Sequence, residues 1–172
     1  MDPVKGNGRT KRVFVTVGTT LFDDLISHAL QPDTLQVLEA RGYTHIKLQV
    51  GRGAEPVIPA STNINISWYR LKESIISDFE ESSLVISHAG AGSCLEALGA
   101  NKPLVVVINE KLMGNHQLEL AEKLHSEGHA VMCFPQTLLT TLQEMEPSEL
   151  KPFPKVDGSK FSNYLNELMG LV

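Results

Sequence analysis

The stretch Leu84-Val-Ile-Ser-His-Ala-Gly-Ala-Gly-Ser-Cys-Leu-Glu96 decides the fold class of this chain. Its first residues form a short apolar run that is typical of a buried strand, and a glycine-rich turn and a helix-forming segment follow. A helix entered through such a turn begins with unpaired N–H groups and about half a positive charge. The stretch therefore predicts an α/β fold with an anion site at the start of this helix.

The side chains of this stretch suit a phosphate followed by a sugar. Gly90 and Gly92 have no Cβ, so an anion can approach their backbone closely. Ser93 and His88 are candidate donors to phosphate oxygens, and an ionised Glu96 would accept hydrogen bonds from two sugar hydroxyls. In the alternative interpretation the glycines only make a tight turn, Ser93 caps the helix and His88 is an ordinary loop histidine. These residues alone leave both interpretations open.

Two familiar phosphate motifs are missing from the sequence. A P-loop needs Gly-Lys followed by Ser or Thr, and that combination does not occur. The dinucleotide motif G-x-G-x-x-G is incomplete, because Leu95 stands where the third glycine belongs and no acidic residue ends a next strand about 20 residues later. The sequence thus argues against an ATPase and against a nicotinamide-dependent enzyme.

The rest of the chain alternates short β-branched runs with longer helix-forming segments. This pattern predicts a Rossmann-like parallel sheet with helices on both faces, in which right-handed crossovers bring the strand-to-helix loops to the carboxyl edge. Ligands bind at that edge in open α/β folds. Strands are expected at Val13–Val17, Ile46–Val50, Ile64–Tyr69, Leu84–Ser87, Leu104–Ile108 and Ala130–Phe134. Helices are expected at Leu21–Ala29, Asp33–Arg41, Leu71–Ser82, Ser93–Ala100, His116–Glu127, Thr137–Met145 and Ser159–Leu171.

Two more glycine turns follow predicted strands. Gly18-Thr19-Thr20 comes after the first strand, and Gly51-Arg52-Gly53 comes after the second. A single turn of this kind is usually structural, but three of them at the ligand-binding edge favour an extended, phosphate-bearing ligand.

A second polar cluster, Asn109-Glu-Lys-Leu-Met-Gly-Asn-His-Gln117, follows the fifth strand. His116 and Gln117 begin the next helix, where their donors and acceptors would face sugar hydroxyls. In the alternative interpretation Asn115 caps that helix and His116 is solvated.

Composition narrows the class of protein. The 172 residues suffice for one core and carry a net charge of −5, which argues against a broad nucleic-acid interface. Cys94 and Cys133 lie far apart without metal-ligand spacing, so neither a disulfide framework nor a zinc site is expected, and a reducing cytosol fits. The sequence has no apolar run long enough to span a bilayer.

The ends of the chain carry fewer signals. Residues 1–10 are expected to form a disordered arm, residues 11–172 one domain, and the proline-rich residues 146–158 a linker to the last helix. That helix has an apolar stripe that would either close the core or dock a partner, and its members are Phe161, Tyr164, Leu165, Leu168 and Met169.

The sequence blocks together resemble the family 28 glycosyltransferases with the GT-B fold. Among these they are most similar to the small cytosolic subunits of two-part UDP-N-acetylglucosamine transferases. The blocks that carry the resemblance are Phe14–Thr20, Gln49–Gly53, Leu84–Glu96, Lys102–Glu110 and Asn115–Ala121. They keep their order and spacing over nearly all of the chain after Lys11.

The resemblance implies a role for individual positions. His88 and Ser93 would contact the diphosphate of UDP, with Gly18, Thr19, Gly90 and Gly92 along it, and Glu96 would bind the ribose hydroxyls. His116 and Gln117 would contact the donor sugar. Tyr69 and Arg70 would lie near the uracil.

The resemblance also implies a reaction and a partner. The chain would be the donor half of an inverting transferase that adds the second GlcNAc, in a β1,4 link, to GlcNAc-diphosphodolichol, without a metal or other cofactor. A membrane-anchored acceptor-binding subunit would supply the catalytic base and recruit this chain to the cytosolic face of the endoplasmic reticulum. The last helix, about 159–171, would join the subunits. The alternative is a nucleotide-sugar-binding or regulatory module without catalytic activity, and an epimerase or phosphatase domain is a more remote one.

Overall fold

The computed structural model describes residues 10–112, 115–154 and 163. The expected arm at residues 1–10 falls outside these ranges except for Thr10. The expected helix Ser159–Leu171 falls outside them except for Asn163.

A six-stranded parallel sheet forms the centre of the molecule, with strand order β3-β2-β1-β4-β5-β6. All six strands expected from the sequence are present, so the predicted Rossmann-like α/β class is confirmed. The strands are β1 Lys11–Thr16, β2 Tyr43–Gln49, β3 Asn65–Tyr69, β4 Leu84–His88, β5 Leu104–Val107 and β6 Val131–Cys133. Because the order reverses between β1 and β4, a crevice is expected beyond the carboxyl ends of these two strands.

Helices cover both faces of the sheet. Alternate residues of each strand point to opposite faces, so Val13 and Val15 pack in one apolar layer and Phe14 in the other. Helices α1, α2 and α6 cover the valine side and α3, α4 and α5 the other. The helices are α1 Asp23–Ala29, α2 Pro32–Ala40, α3 Ile76–Glu81, α4 Ala91–Gly99, α5 Asn115–Ser126 and α6 Leu138–Glu144.

The third helix is shorter than expected. The apolar spacing of Leu71–Ser82 predicts a single helix, but α3 begins only at Ile76 and residues 71–75 form an irregular segment. Lys72 in that segment donates to the carboxylate of Asp78, and Phe79 packs edge-on against Phe14 at 5.1 Å between ring centroids. These tertiary contacts hold an open loop where local spacing alone favours a helix.

The two cysteines, Cys94 and Cys133, are both free and buried. In the described ranges, no helix combines the length and the apolar character that crossing a membrane requires.

Candidate functional site

A cleft of about 480 Å³ opens at the carboxyl edge of the sheet, over the ends of β1, β2 and β4. Its position is the switch point expected from the strand order. The residues that line it are Gly18, Thr19, Thr20, Gln49, Leu71, Lys72, Glu73, Ser74, Ile75, Ile76, His88, Gly90, Gly92, Ser93 and Glu96. The loops after β1 and β4, which the sequence placed at one ligand, therefore meet here.

The N-terminus of α4 forms one end of this cleft. Gly90 is the cap residue, with extended backbone angles of φ −74° and ψ 130°, and the first intrahelical bond runs from Cys94 N–H to Gly90 O. The N–H groups of the first helical turn precede that bond and have no partner within the helix. Ser93 lies inside this turn and makes no capping hydrogen bond, so the interpretation of Ser93 as the cap is wrong.

The imidazole of His88 lies in a slot between two glycines. A Cβ at Gly18 would be 2.8 Å from His88 Nε2, and a Cβ at Gly90 would be 2.2 Å from His88 Cε1. Gly18 has a positive φ of 63°, which also favours glycine at that position. The slot leaves His88 8% exposed, with Nε2 3.3 Å from Ser93 Oγ.

Burial controls the charge of this histidine. It lowers the pKa of His88 to about 4, because the imidazolium is poorly solvated between the glycines. His88 is therefore neutral at pH 7 and has one N–H to donate. A neutral donor can bind a phosphate oxygen without adding a positive charge to the cleft.

Gly92 differs from its neighbour Gly90. A Cβ at Gly92 would meet no atom within 4 Å, and the residue lines the cleft. Packing within the chain therefore does not require glycine at this position. The open space in front of the backbone is where an anion bound to the helix N-terminus would lie.

Glu96 lies one turn further along α4 and is exposed at the mouth of the cleft. The described part of the chain provides no hydrogen bond or ion pair to its carboxylate. This carboxylate is free to accept two hydroxyl donors from a ligand.

The segment 71–76 forms one wall of the cleft, which no pattern in the sequence predicted. Leu71 and Ile76 are large apolar side chains that are 53% and 58% exposed, so they offer an apolar surface to a ligand. The signal available in the sequence was an apolar pair directly after a strand at the ligand-binding edge. The helical spacing of Leu71–Ser82 predicted a helix there instead of a loop that lines the cleft.

Asp78 anchors this wall from behind. The carboxylate accepts hydrogen bonds from Lys47 Nζ at 2.8 Å, Tyr69 Oη at 2.5 Å and Lys72 Nζ at 3.0 Å. Burial alone would raise the pKa of Asp78, but these hydrogen bonds outweigh it and hold the pKa below its usual value. Asp78 thus ties together β2, β3 and the loop that forms the wall.

Tyr69 and Arg70, expected near the uracil, do not line the cleft. Tyr69 donates to Asp78, and Arg70 donates to Gly53 O and lies over the ring of Trp68 at 5.8 Å. Both side chains make structural contacts within the chain. The structure places the adjacent segment, 71–76, at the cleft instead.

The Gly51–Gly53 turn also supports the cleft without lining it. Gly51 N–H donates to Arg70 O and Arg52 N–H donates to Thr20 O, both at 3.1 Å. With a φ of 56°, Gly51 lies so close to the first glycine turn that a Cβ would be 2.4 Å from Thr20 O. Of the three glycine turns, those after β1 and β4 line the cleft, whereas the turn after β2 does not.

His116 and Gln117 begin α5, which follows β5 at the same edge of the sheet. His116 is exposed and Gln117 is half-buried. Neither belongs to the lining of the cleft as the described residues define it. Their contact with a donor sugar remains a prediction.

Comparison with known proteins assigns the chain to a family. Residues 12–168 match the model of the glycosyltransferase family 28 C-terminal domain. The chain is 59% identical over 124 residues to the human UDP-N-acetylglucosamine transferase subunit ALG13, covering 72% of this chain but only 11% of the human protein. The Saccharomyces cerevisiae protein of the same name is 32% identical over 194 residues, with 91% of this chain and 95% of the yeast protein covered.

Solved structures of other proteins share the fold of this chain. An NMR solution structure of ALG13 is 28% identical, with a TM-score of 0.71 over 94% of this chain and 98% of that one. Acinetobacter baumannii MurG is 21% identical, with a TM-score of 0.56 over 92% of this chain and 42% of that one, and shows the fold alone. The chain belongs to the glycosyltransferase family 28 C-terminal domain family and has the fold of one GT-B domain.

Proposed function

We propose that this chain is the UDP-GlcNAc-binding half of a two-subunit β1,4-N-acetylglucosaminyltransferase. The acceptor would be GlcNAc-diphosphodolichol, which receives the second GlcNAc of the N-linked glycan precursor. The observation that carries the proposal is the cleft itself, which is lined by a glycine-flanked helix N-terminus and by the exposed apolar side chains of Leu71 and Ile76. One turn along that helix stands the Glu96 carboxylate, which has no partner in the described part of the chain. This arrangement suits a nucleoside diphosphate.

The three parts of UDP match three parts of the cleft. The diphosphate would lie on the first turn of α4 and the Gly18-Thr19 turn, where it accepts from backbone N–H groups, Ser93 and neutral His88. The ribose hydroxyls would donate to Glu96. The uracil would lie against the exposed apolar side chains of Leu71 and Ile76 in the wall of residues 71–76. Tyr69 and Arg70 would stand behind this wall.

GlcNAc, the fourth part of the donor, would project toward α5. His116 and Gln117 at the start of that helix are the proposed contacts, since they lie at the same edge of the sheet. Both carry donors and acceptors that can distinguish one sugar hydroxyl arrangement from another.

The proposed reaction is an inverting displacement. A hydroxyl of the acceptor GlcNAc attacks the anomeric carbon of UDP-GlcNAc, the bond to the diphosphate oxygen breaks, and UDP leaves. Donors fixed at the helix N-terminus would stabilise the negative charge on the leaving diphosphate, and each such donor contributes about 2.7–4 kcal/mol in enzymes where one has been removed. The proposal uses no metal ion or other cofactor.

The base that accepts the hydroxyl proton would come from a partner. Relatives are named as a subunit of the transferase, and the GT-B structure of MurG is more than twice as long as the region that this chain matches. We assign the base to a membrane-anchored, acceptor-binding subunit that recruits this chain to the cytosolic face of the endoplasmic reticulum. The region about residues 159–171 is the proposed docking helix.

Exposed apolar side chains at the carboxyl edge support a covering partner. Loops and helix starts at this edge carry Leu21, Leu71, Ile76, Leu112 and Leu118, all at least 37% exposed. A second domain seated here would bury them and close the cleft against water. This would leave the donor enclosed between the two subunits.

The test of donor binding is calorimetry on the full chain with UDP-GlcNAc, UDP and ADP. The proposal expects saturable binding of both uridine nucleotides and much weaker binding of ADP. Equal affinity for ADP, or no binding of UDP, would contradict it. If the chain binds UDP-GlcNAc but no assembly with a partner transfers the sugar, the alternative of a non-catalytic nucleotide-sugar-binding module is favoured.

A further inference from the structure

Gln49 is a buried polar residue that lines the cleft. It is the last residue of β2, is 3% exposed and belongs to the lining of the cleft. Its neighbour on β1 is Thr16, which is fully buried and pairs with it in the strand register. The side-chain oxygens of these two residues, Thr16 Oγ1 and Gln49 Oε1, are 2.5 Å apart.

The hydrogen bonds around Thr16 fix the orientation of the Gln49 amide. Gly18 N–H donates to Thr16 Oγ1 at 2.9 Å, and a backbone N–H can only donate. The hydroxyl hydrogen of Thr16 is then left to donate, and within the described ranges its acceptor is Gln49. In this arrangement the Thr16 hydroxyl donates to the Gln49 carbonyl oxygen, and the Gln49 NH₂ group points away from this contact.

The NH₂ group of Gln49 has no hydrogen-bond acceptor in residues 10–112 and 115–154. In these ranges the fully enclosed side-chain atom without a partner is Thr34 Oγ1, so the Gln49 NH₂ group is open to the cleft that its residue lines, next to the Gly18 turn. A donor in such a position is hydrated when the cleft is empty and can donate to a ligand that fills it. A ligand bound in the cleft therefore supplies the natural acceptor.

We propose that Gln49 is a further binding residue, whose NH₂ group donates to a phosphate oxygen of the bound nucleoside diphosphate. This inference rests on the proposed function. An NH₂ group can only donate and a phosphate oxygen can only accept, whereas the ribose hydroxyls already have Glu96 as an acceptor. Thr16 would act as a positioning residue that prevents the amide from turning over.

Two substitutions test the direction of this hydrogen bond. Gln49→Met removes the donor at similar volume. Gln49→Glu keeps an acceptor for Thr16 but points a second carboxylate oxygen at the phosphate. We expect Gln49→Met to weaken UDP binding by about 10- to 100-fold, as for loss of a hydrogen bond to a charged group, and Gln49→Glu to weaken it more. Uridine, which lacks the diphosphate, should bind each variant within about twofold of its affinity for the unaltered chain.

Gln143→Glu is the matched control, because it adds the same charge at an exposed position on α6. It should bind UDP as the unaltered chain does. Equal weakening of UDP and uridine in the Gln49 variants, or no weakening of either, overturns the role of Gln49 and leaves the proposed function standing. If the unaltered chain fails to bind UDP, both proposals are overturned.

A measurement without substitution covers the case in which the variants do not fold. In the full chain labelled with ¹⁵N at glutamine side chains, the Gln49 NH₂ resonances should shift on saturation with UDP and not with uridine. No shift, or the same shift with both ligands, overturns the proposal.

Discussion

The imidazole of His88 lies against Gly90 so closely that a Cβ at residue 90 would be 2.2 Å from His88 Cε1. The glycine is thus required by the histidine, whereas at Gly92 a Cβ would meet nothing within 4 Å. Two glycines of one motif therefore serve different purposes. Gly90 makes room for a side chain of the protein, and Gly92 borders the open cleft in which we propose that the ligand binds.

Replacing Gly90 by alanine should destabilise the domain. The added methyl group would displace a ring that is also confined by Gly18, and such overpacking costs about 1–3 kcal/mol. Urea denaturation of Gly90→Ala would measure the decrease in the free energy of unfolding. Unchanged stability would mean that His88 moves freely out of its slot, contrary to the structure.

Replacing Gly92 by alanine should weaken UDP binding without destabilising the domain. Alanine is favoured over glycine inside a helix by up to about 1 kcal/mol, so the free energy of unfolding should stay the same or rise. The new Cβ would occupy the approach to the backbone N–H groups, so UDP affinity should fall at least tenfold in calorimetry. A variant that binds UDP normally would show that the diphosphate lies elsewhere.

The stability of the domain should fall in mild acid because of His88. Its pKa is about 4 in the folded chain, against an ordinary 6.5. Between these values the unfolded chain binds a proton that the folded chain does not, so stability is complete above about pH 6.5 and is lost as the pH falls toward 4. The total corresponds to about 3 kcal/mol.

The matched measurement compares the unaltered chain with His88→Gln, which cannot titrate. The unfolding free energy of the unaltered chain minus that of His88→Gln should fall by about 3 kcal/mol from pH 7 to pH 4. The other titratable groups are the same in both proteins, so their contributions cancel in this difference. A difference that is constant with pH would show that His88 is readily protonated in the folded state.

Loss of the Asp78 charge should loosen the wall of the cleft. In Asp78→Asn the hydrogen bonds from Lys47 and Lys72 lose their charge-assisted character, which should cost about 2 kcal/mol of stability and raise the dissociation constant for UDP. Glu81→Gln on the same helix is the control, since its ion pairs with Lys47 and Arg12 are exposed at 3.8 and 3.9 Å and should contribute little. Equal effects of the two substitutions would refute a positioning role for Asp78.

Removal of Glu96 should affect transfer without affecting folding. Its carboxylate is exposed and has no partner in the described part of the chain, so Glu96→Ala should unfold at the same urea concentration as the unaltered chain. Because alanine cannot accept hydrogen bonds from the ribose hydroxyls, kcat/KM of the assembled complex should fall by at least tenfold. Ser93→Ala should lower it similarly, since it removes a donor to the diphosphate. Full activity in either variant would remove that residue from the site.

The sequence predicted the centre of the sheet well because β1, β4 and β5 are buried on both faces over most of their length. Runs such as Leu104-Val-Val-Val107 are apolar throughout, and such runs between helical segments have few other structural solutions. A helix after β4 was predictable for the same local reason, since glycines follow the strand, although the helix begins at Ala91 and not at the expected Ser93. These features depend on neighbouring residues only.

The parts that could not be predicted depend on distant contacts. Residues 71–75 have helical spacing, yet Lys72 pairs with Asp78, which is itself held by Lys47 on β2, 31 residues away. The role proposed for Gln49 follows from a hydrogen bond to Thr16 on another strand, 33 residues away. No local pattern reveals which way an amide group points.

The most direct measurement is transfer of radiolabelled GlcNAc from UDP-GlcNAc to a GlcNAc-diphosphodolichol analogue. It would be made with this chain alone, with a membrane-anchored acceptor-binding subunit alone, and with both together. The account predicts product only in the mixture, with loss of product when the chain carries Glu96→Ala. Transfer by either component alone, or none in the mixture although the chain binds UDP-GlcNAc, would contradict the assignment of this chain as the donor half of a two-subunit transferase.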